Sequence, residues 1–287
     1  MISKYAFRLF GDFSRKIEPY FPDLKDELKK ADLKISPQEY IANALFVSLL
    51  SFMITLPSLA FFISFASASF LFGYLTSVTL AIGLPIIVFL IYINYPKSII
   101  KEREKKIDTY LPFSTLYLSS IISSGLPLHK AIKTFTEFSE HKDFVSEMKK
   151  IVNDVEFYGL DILTALERAA SRTPSRKLRE FLYGILATIR SGGNVYTFVK
   201  ERTADFFIDY RRKLADFSHS MTIYTEIYLV SVVLGTIFFI ILTSVVSAIG
   251  GATQNILGLQ LFMIFIFLPT VSILFLYLVK KAQPFWE

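Results

Sequence analysis

The 287-residue chain contains no cysteine, which rules out disulfide bonds and thiolate metal sites. Its three histidines, His129, His141 and His219, lack the spacing of metal ligands. The sequence also lacks a phosphate-binding loop ending in Lys-Ser/Thr, a Gly-x-Ser-x-Gly turn and a plausible pair of catalytic carboxylates. We therefore predict no enzymatic activity, no cofactor and no metal.

Charged residues are missing from positions 40–96, although they make up 20% of the chain. That stretch is far longer than the ~20 residues that cross a hydrocarbon core, so it predicts two membrane spans with a break near Ser67-Ala68-Ser69. Apolar stretches at about 224–249 and 256–279, linked by residues 250–255, predict two more spans. The expected fold is all-α, with four transmembrane helices.

The polar stretch between the second and third spans shows helical periodicity and no useful strand alternation. Apolar residues form one helical face over 144–155 and another over 178–189. Thr173 and Pro174 resemble the N-cap and first residue of the second of these helices. Glycines are expected in the turns between helices: Gly125, Gly159, Gly192 and Gly193.

The N-terminal residues carry mixed charges and no apolar segment near Met1, so we expect no cleaved signal peptide. Leu9, Phe10, Phe13 and Ile17 recur at helical spacing, which predicts a short amphipathic helix lying on the membrane or on the protein. The sequence Ser-Pro-Gln-Glu at 36–39 is a capping-box signature that opens the first span.

These patterns divide the chain into five predicted segments: an N-terminal segment at 1–36, spans one and two at 37–96, a helical domain at 97–223, spans three and four at 224–279, and a tail at 280–287. All 31 Lys and Arg residues lie outside the two pairs of spans and the turns within them. The positive-inside rule then places both termini and the helical domain in the cytoplasm.

The helical domain also aligns with itself at an offset of 67 residues. Leu111 aligns with Leu178, and the Ser-Gly pair at 124–125 aligns with the pair at 191–192. Glycine suits a helix C-terminus because it adopts the left-handed conformation at little cost. We predict an internal repeat of a helix hairpin; coincidence between two ordinary hairpins is the alternative.

Several motifs occur in a fixed order in this domain: Leu-Pro at 111–112, Ser-Gly-Leu-Pro-Leu at 124–128, Gly-Leu-Asp at 159–161, Ala-Leu-Glu-Arg-Ala-Ala at 165–170, and Ser-Gly-Gly-Asn-Val at 191–195. Their order and the membrane layout resemble the F domain of the inner-membrane platform proteins of type II secretion systems, type IV and Tad pili and archaella. The layout is closest to the Tad-type pilus and archaellum platforms. A general secretion platform usually has two F domains and three spans, whereas this chain has one clear F domain and four spans, as in the shorter Tad-like members.

The resemblance implies a non-enzymatic platform for filament assembly in the cytoplasmic membrane. It further implies a hexameric secretion ATPase and prepilin subunits as partners, and a homodimer or a pair with a second platform chain. Nucleic acid is not expected, because the aromatic residues of the domain lie on core faces. A permease subunit is the alternative, although a permease needs polar groups at several midplane positions.

The domain is basic, with a formal charge of +5 over 97–223, so it can attract an acidic face of the ATPase. Candidate contacts form two clusters: Arg168, Arg172, Arg176, Lys177 and Arg179, and then Arg211, Arg212 and Lys213. For each cluster, a solvated face or contact with anionic lipid is the alternative.

Glu226 is the one acidic residue in the apolar stretch of the third span. Ionisable residues in membranes are expensive and often functional. A pilin amine or a neighbouring subunit could pair with this carboxylate. The alternative is a position at headgroup level beside Tyr224 and Tyr228, where its cost is small.

Overall fold

The computed structural model describes residues 2–66, 70–250, 258 and 260–282. Over these residues the chain is all-α and has no strand, which confirms the predicted fold class. The chain forms two compact units, Met1–Thr203 and Ala204–Glu287. The predicted turn at 67–69, most of the link at 250–255 and the end of the tail lie outside the described residues.

The N-terminal region forms two short helices ahead of the first span. Helix α1 covers Ile2–Ile17, a 3-10 turn covers Glu18–Tyr20, and α2 covers Leu24–Lys30. Leu24 and Leu28 of α2 are buried in a cluster with Tyr40, Ile41 and Ile93. The N-terminal region is therefore folded onto the base of the first two spans.

The first two spans differ in length because only the first is confined to the apolar stretch. Helix α3 covers Pro37–Ala66, and the hydroxyl of Ser36 accepts a hydrogen bond from the amide of Glu39 at 3.2 Å. This confirms Ser36 as the N-cap. Helix α4 covers Phe70–Ile122 and continues without a break through Pro96. The predicted pair of spans ends at residue 96, whereas the helix itself extends far into the polar region.

Five further helices complete the first unit and lead into the second: α5 (Leu128–Phe138), α6 (Lys142–Glu156), α7 (Ile162–Arg172), α8 (Arg176–Arg190) and α9 (Val195–Tyr228). The apolar faces predicted for α6 and α8 are buried at most of their positions, including Phe144, Met148, Phe181 and Leu182. Apolar side chains at helical spacing thus form the core of the domain.

Three glycines have the left-handed backbone conformation after helices of this domain. The φ angles are +80° at Gly125, +65° at Gly159 and +70° at Gly192. Gly192 follows α8, and its amide donates to the carbonyl of Ile189 at 3.0 Å. These turns reverse the chain between helices, in a conformation that residues with a Cβ rarely adopt.

The second unit contains the last apolar helices. A π-helical turn at Leu229–Leu234 precedes α10 (Gly235–Gly250), and another at Met263–Phe267 precedes α11 (Leu268–Ala282). Four described helical stretches are long and apolar enough to cross a membrane: Pro37–Leu59, Ala81–Ile122, Val195–Val246 and Gln260–Lys280. The four predicted spans are confirmed at this level. The internal repeat stays a prediction.

The predicted cap of α8 is wrong by two residues. Helix α8 begins at Arg176, and the N-cap is Ser175, whose hydroxyl accepts from the amide of Leu178 at 3.0 Å. Thr173 instead ends α7 with an extended backbone, as expected for a residue before proline. The Ser175 hydroxyl also donates to the carboxylate of Asp108 on α4 at 2.5 Å. These two residues are separated by 67 positions, the offset of the predicted repeat.

We expect Ser175→Ala to destabilise the protein by about 1–2 kcal/mol, because it removes a buried N-cap. The measurement is the thermal unfolding midpoint of the purified full-length protein in detergent. Ser171→Ala is the matched control, since Ser171 is exposed and bonds only to a carbonyl of its own helix. Equal midpoints for the two variants would contradict the structural role given to Ser175.

Candidate partner-binding surface

The first predicted cationic cluster lies on α7 and α8, and the structure divides its members by what they contact. Arg172 donates to the carboxylate of Asp154 on α6 at 2.5 Å, and only 4% of the Asp154 side chain is exposed. Arg179 donates to the carbonyl of Thr173 at 3.2 Å. Lys177 is partly buried. Arg172 and Arg179 therefore hold the helices of the domain together.

Arg168 and Arg176 remain largely accessible. The Arg168 guanidinium lies 4.0 Å from the Asp154 carboxylate, and half of the side chain is exposed. Arg176 is 82% exposed and pairs along its own helix with Glu180 at 2.9 Å. Surface ion pairs of this kind contribute little stability. These two residues are consequently the members of the cluster that a partner protein can reach.

The second predicted cluster lies on α9, in the second unit. Arg211, Arg212 and Lys213 are all exposed. They make no ion pair within the described part of the chain. Three consecutive side chains point in different directions around a helix, so the cluster presents positive charge over a broad surface rather than on one face.

A buried ion network, which the sequence analysis missed, connects the N-terminal region to the domain. Glu147 of α6 is fully buried, and one of its oxygens accepts from Arg103 of α4 at 3.0 Å and from Lys150 at 2.8 Å. Arg103 also donates to the carbonyl of Lys30 at 2.8 Å. Asp32 lies 3.9 Å from Arg103 and 3.6 Å from Lys150.

Only a small part of this network has a signal in the sequence. Glu147 and Lys150 are three residues apart on one helix, a spacing that brings side chains together. Arg103 and Glu147 are 44 positions apart, and Arg103 and Lys30 are 73 apart. No periodic pattern links such distant residues, so these contacts depend on tertiary structure alone.

The N-terminal loop and α6 also border two adjoining clefts of about 770 and 330 Å³. Four residues line both clefts: Asp32, Lys34, Lys150 and Asn153. Asp32 has a left-handed backbone, with φ of +60°. Lys150 is already paired with Glu147, and both clefts are open to the surface, so nothing about the shared wall indicates a ligand site.

Asp161 and Lys133 of the domain have shifted pKa values, and both shifts come from surface contacts. A hydrogen bond from Thr164 lowers the pKa of Asp161, the N-cap of α7. A hydrogen bond to Glu156 at 2.8 Å raises the pKa of Lys133. Each contact stabilises the charged form that is already present near neutral pH. Neither group has the environment of an acid or base tuned for catalysis.

The remaining predicted positions lie apart from these clusters. Glu226 is exposed near the end of α9 and makes no ion pair among the residues that the structure describes. His141 stacks on Tyr110, with ring centroids 4.2 Å apart. The four turn glycines, Gly125, Gly159, Gly192 and Gly193, are all exposed. No cluster of metal-binding side chains occurs over the described ranges.

Taken together, the apolar helices and the helical domain between them define a multi-pass membrane protein. Residues 115–243 match the family model described as protein F of the type II secretion system. The match runs from the second half of α4 into α10. This match confirms the resemblance drawn from the sequence over residues 115–243.

Two curated relatives come from the archaeon Methanocaldococcus jannaschii. The uncharacterized protein MJ1286 is 27% identical over 203 residues, which are 69% of this chain and 34% of the relative. The uncharacterized protein MJ0780 is 29% identical over 87 residues, which are 30% of this chain and 26% of that protein. The chain therefore spans about a third or less of each relative. No solved structure gives a significant match.

We expect Glu147→Ala to destabilise the protein by about 3–5 kcal/mol, because it removes the buried carboxylate nearest to Arg103. The remaining carboxylates, Asp143 and Asp32, lie farther from Arg103, at 3.4 and 3.9 Å. The thermal unfolding midpoint in detergent measures the effect. Glu180→Ala is the control, since it breaks the exposed pair with Arg176 and should change the midpoint little. If both variants unfolded at the same temperature, the network would have no structural role.

Proposed function

We propose that this protein is a non-enzymatic platform in the cytoplasmic membrane for the assembly of a type IV pilus-like filament. The platform couples a hexameric secretion ATPase to the extraction of pilin subunits from the bilayer. The observation that carries this proposal is the F-domain match at residues 115–243, in a chain with apolar spans on both sides of the helical domain.

The charge distribution supports a cytoplasmic position for the domain and for both termini, because Lys and Arg flank the spans on that side only. An ATPase then meets the domain directly. Arg168 and Arg176 are the exposed cations of the first cluster, and Arg211–Lys213 form the second. Positive charge on a surface steers association with an acidic partner.

The polar side chains of the last two spans give less support to the permease alternative. Gln260 donates to the hydroxyls of Thr243 and Ser244 at 2.9 and 3.2 Å, and the Tyr228 and Ser272 hydroxyls lie 2.8 Å apart. These groups bond to one another across the hairpin. A solute pathway instead needs polar groups directed at the solute, so we favour the platform.

Affinity purification of the tagged full-length protein from native membranes, followed by mass spectrometry, tests the proposal. We expect recovery of a secretion ATPase and a prepilin-like protein. Charge reversal by Arg168→Glu with Arg176→Glu should abolish recovery of the ATPase, because like charges then oppose docking. Recovery of a cassette ATPase or a solute-binding protein would instead support a permease.

The control for this charge reversal is Lys130→Glu with Lys149→Glu, two exposed cations on α5 and α6 of the same domain. These variants change the net charge equally and should leave ATPase recovery unchanged. A contradicting result is loss of the ATPase only in the control, or only on charge reversal of Arg211, Arg212 and Lys213. Either result would show that the ATPase does not bind through Arg168 and Arg176 on α7 and α8.

We further propose that Glu226 pairs with a cationic group of a pilin or of a neighbouring subunit. Glu226→Gln removes the charge and keeps the shape, so filament yield should fall while the amount of platform in the membrane stays constant. The control is Asp216→Asn, since Asp216 is an exposed acidic residue nearly three turns earlier on α9. Unchanged yield for Glu226→Gln would leave the carboxylate at headgroup level without a partner.

A further inference from the structure

Helix α1 has an apolar face that is wider than the surface that α3 covers. Helix α1 packs on α3, and Ala6 and Ser14 of α1 are fully buried. Leu9 and Phe13 stay 69% and 57% exposed. Leu9 lies three residues after Ala6, and such residues are neighbours on a helix surface. The two exposed apolar side chains therefore border the stripe that is buried against the protein.

Charged residues are exposed on another side of α1. Arg8, Arg15 and Lys16 are exposed. Arg15 pairs only loosely with Asp12, at 3.8 Å, and the Asp12 side chain is fully exposed. An apolar flank beside a basic face is the pattern of helices that lie in the boundary between lipid headgroups and acyl chains.

Helix α3, on which α1 packs, is a candidate membrane span. The exposed Leu9 and Phe13 side chains of α1 should therefore lie close to the bilayer. Gln38, at the start of α3, donates to the Glu18 carboxylate at 2.9 Å, directly after the end of α1. Further along, α3 exposes apolar side chains such as Met53 and Ile54. The exposed apolar side chains of α1 and α3 therefore belong to the same unit.

We propose that α1 is a lipid-contacting helix, with Leu9 and Phe13 against the acyl chains and Arg8, Arg15 and Lys16 at anionic headgroups. A protein partner fits this surface less well. An ordinary protein interface buries about 800 Å² on each side, and two isolated side chains supply only a fraction of that area. Juxtaposed cations are instead attracted to anionic lipid.

The test uses the absence of native cysteine. Leu9→Cys, Phe13→Cys and Asp12→Cys are each labelled with an environment-sensitive fluorophore, in the full-length protein reconstituted into vesicles of phosphatidylcholine and phosphatidylglycerol. Lipids brominated in the acyl chain should quench the labels at positions 9 and 13 at least about twofold more than the label at position 12, because only the apolar flank contacts acyl chains. Iodide in the water should show the opposite order.

Equal quenching at all three positions, or protection from bromine together with access to iodide at positions 9 and 13, would overturn the proposal and leave a protein partner as the occupant. The basic face is tested separately with Arg8→Gln, Arg15→Gln and Lys16→Gln combined. Each protein carries the label at position 9. Omitting phosphatidylglycerol should weaken acyl-chain quenching of this label when Arg8, Arg15 and Lys16 are present, and should have little effect when all three are replaced. The same lipid dependence in both would refute the headgroup contacts.

Discussion

Glu147 is fully buried, and a carboxylate in that position is tolerated only because Arg103 and Lys150 neutralise it. This requirement organises the first unit. Arg103 lies on the long helix α4, Glu147 lies on α6, and the carbonyl of Lys30 belongs to the N-terminal region. The Arg103 side chain thus connects α4 with α6 and with the N-terminal region, three parts of the chain that are remote in sequence. The N-terminal region is held to the domain and, through Leu24 and Leu28, to the base of the spans.

The sequence predicted those parts of the fold that depend on local pattern. Four spans follow from the absence of charge, and the buried faces of α6 and α8 follow from apolar periodicity. The cap of α8 was missed because Thr173, Pro174 and Ser175 all suit a helix start. Ser175 is the N-cap, and its hydroxyl also donates a hydrogen bond to Asp108 on α4. A tertiary contact, absent from any local pattern, decided between equivalent candidates.

The candidate surface shows the same limit. The five cations of the first cluster look equivalent in the sequence. Their contacts separate those bonded within the domain from those exposed to solvent. Arg172 is committed to the buried Asp154 and Arg179 to a backbone carbonyl, whereas Arg176 extends into solvent. Sequence located the basic region. Only the side-chain contacts distinguish the cations that stabilise the domain from those exposed to solvent.

The continuity of α4 has a mechanical consequence. Its 53 residues form a rod of about 80 Å at 1.5 Å per residue. A helix transmits axial displacement with little loss, since stretching it would break its hydrogen bonds. Prolines at positions 85, 96 and 112 each remove one such bond. Bending compliance is therefore concentrated at three known points, and a push at the domain end would reach the membrane end as a tilt about these pivots rather than as a diffuse deformation.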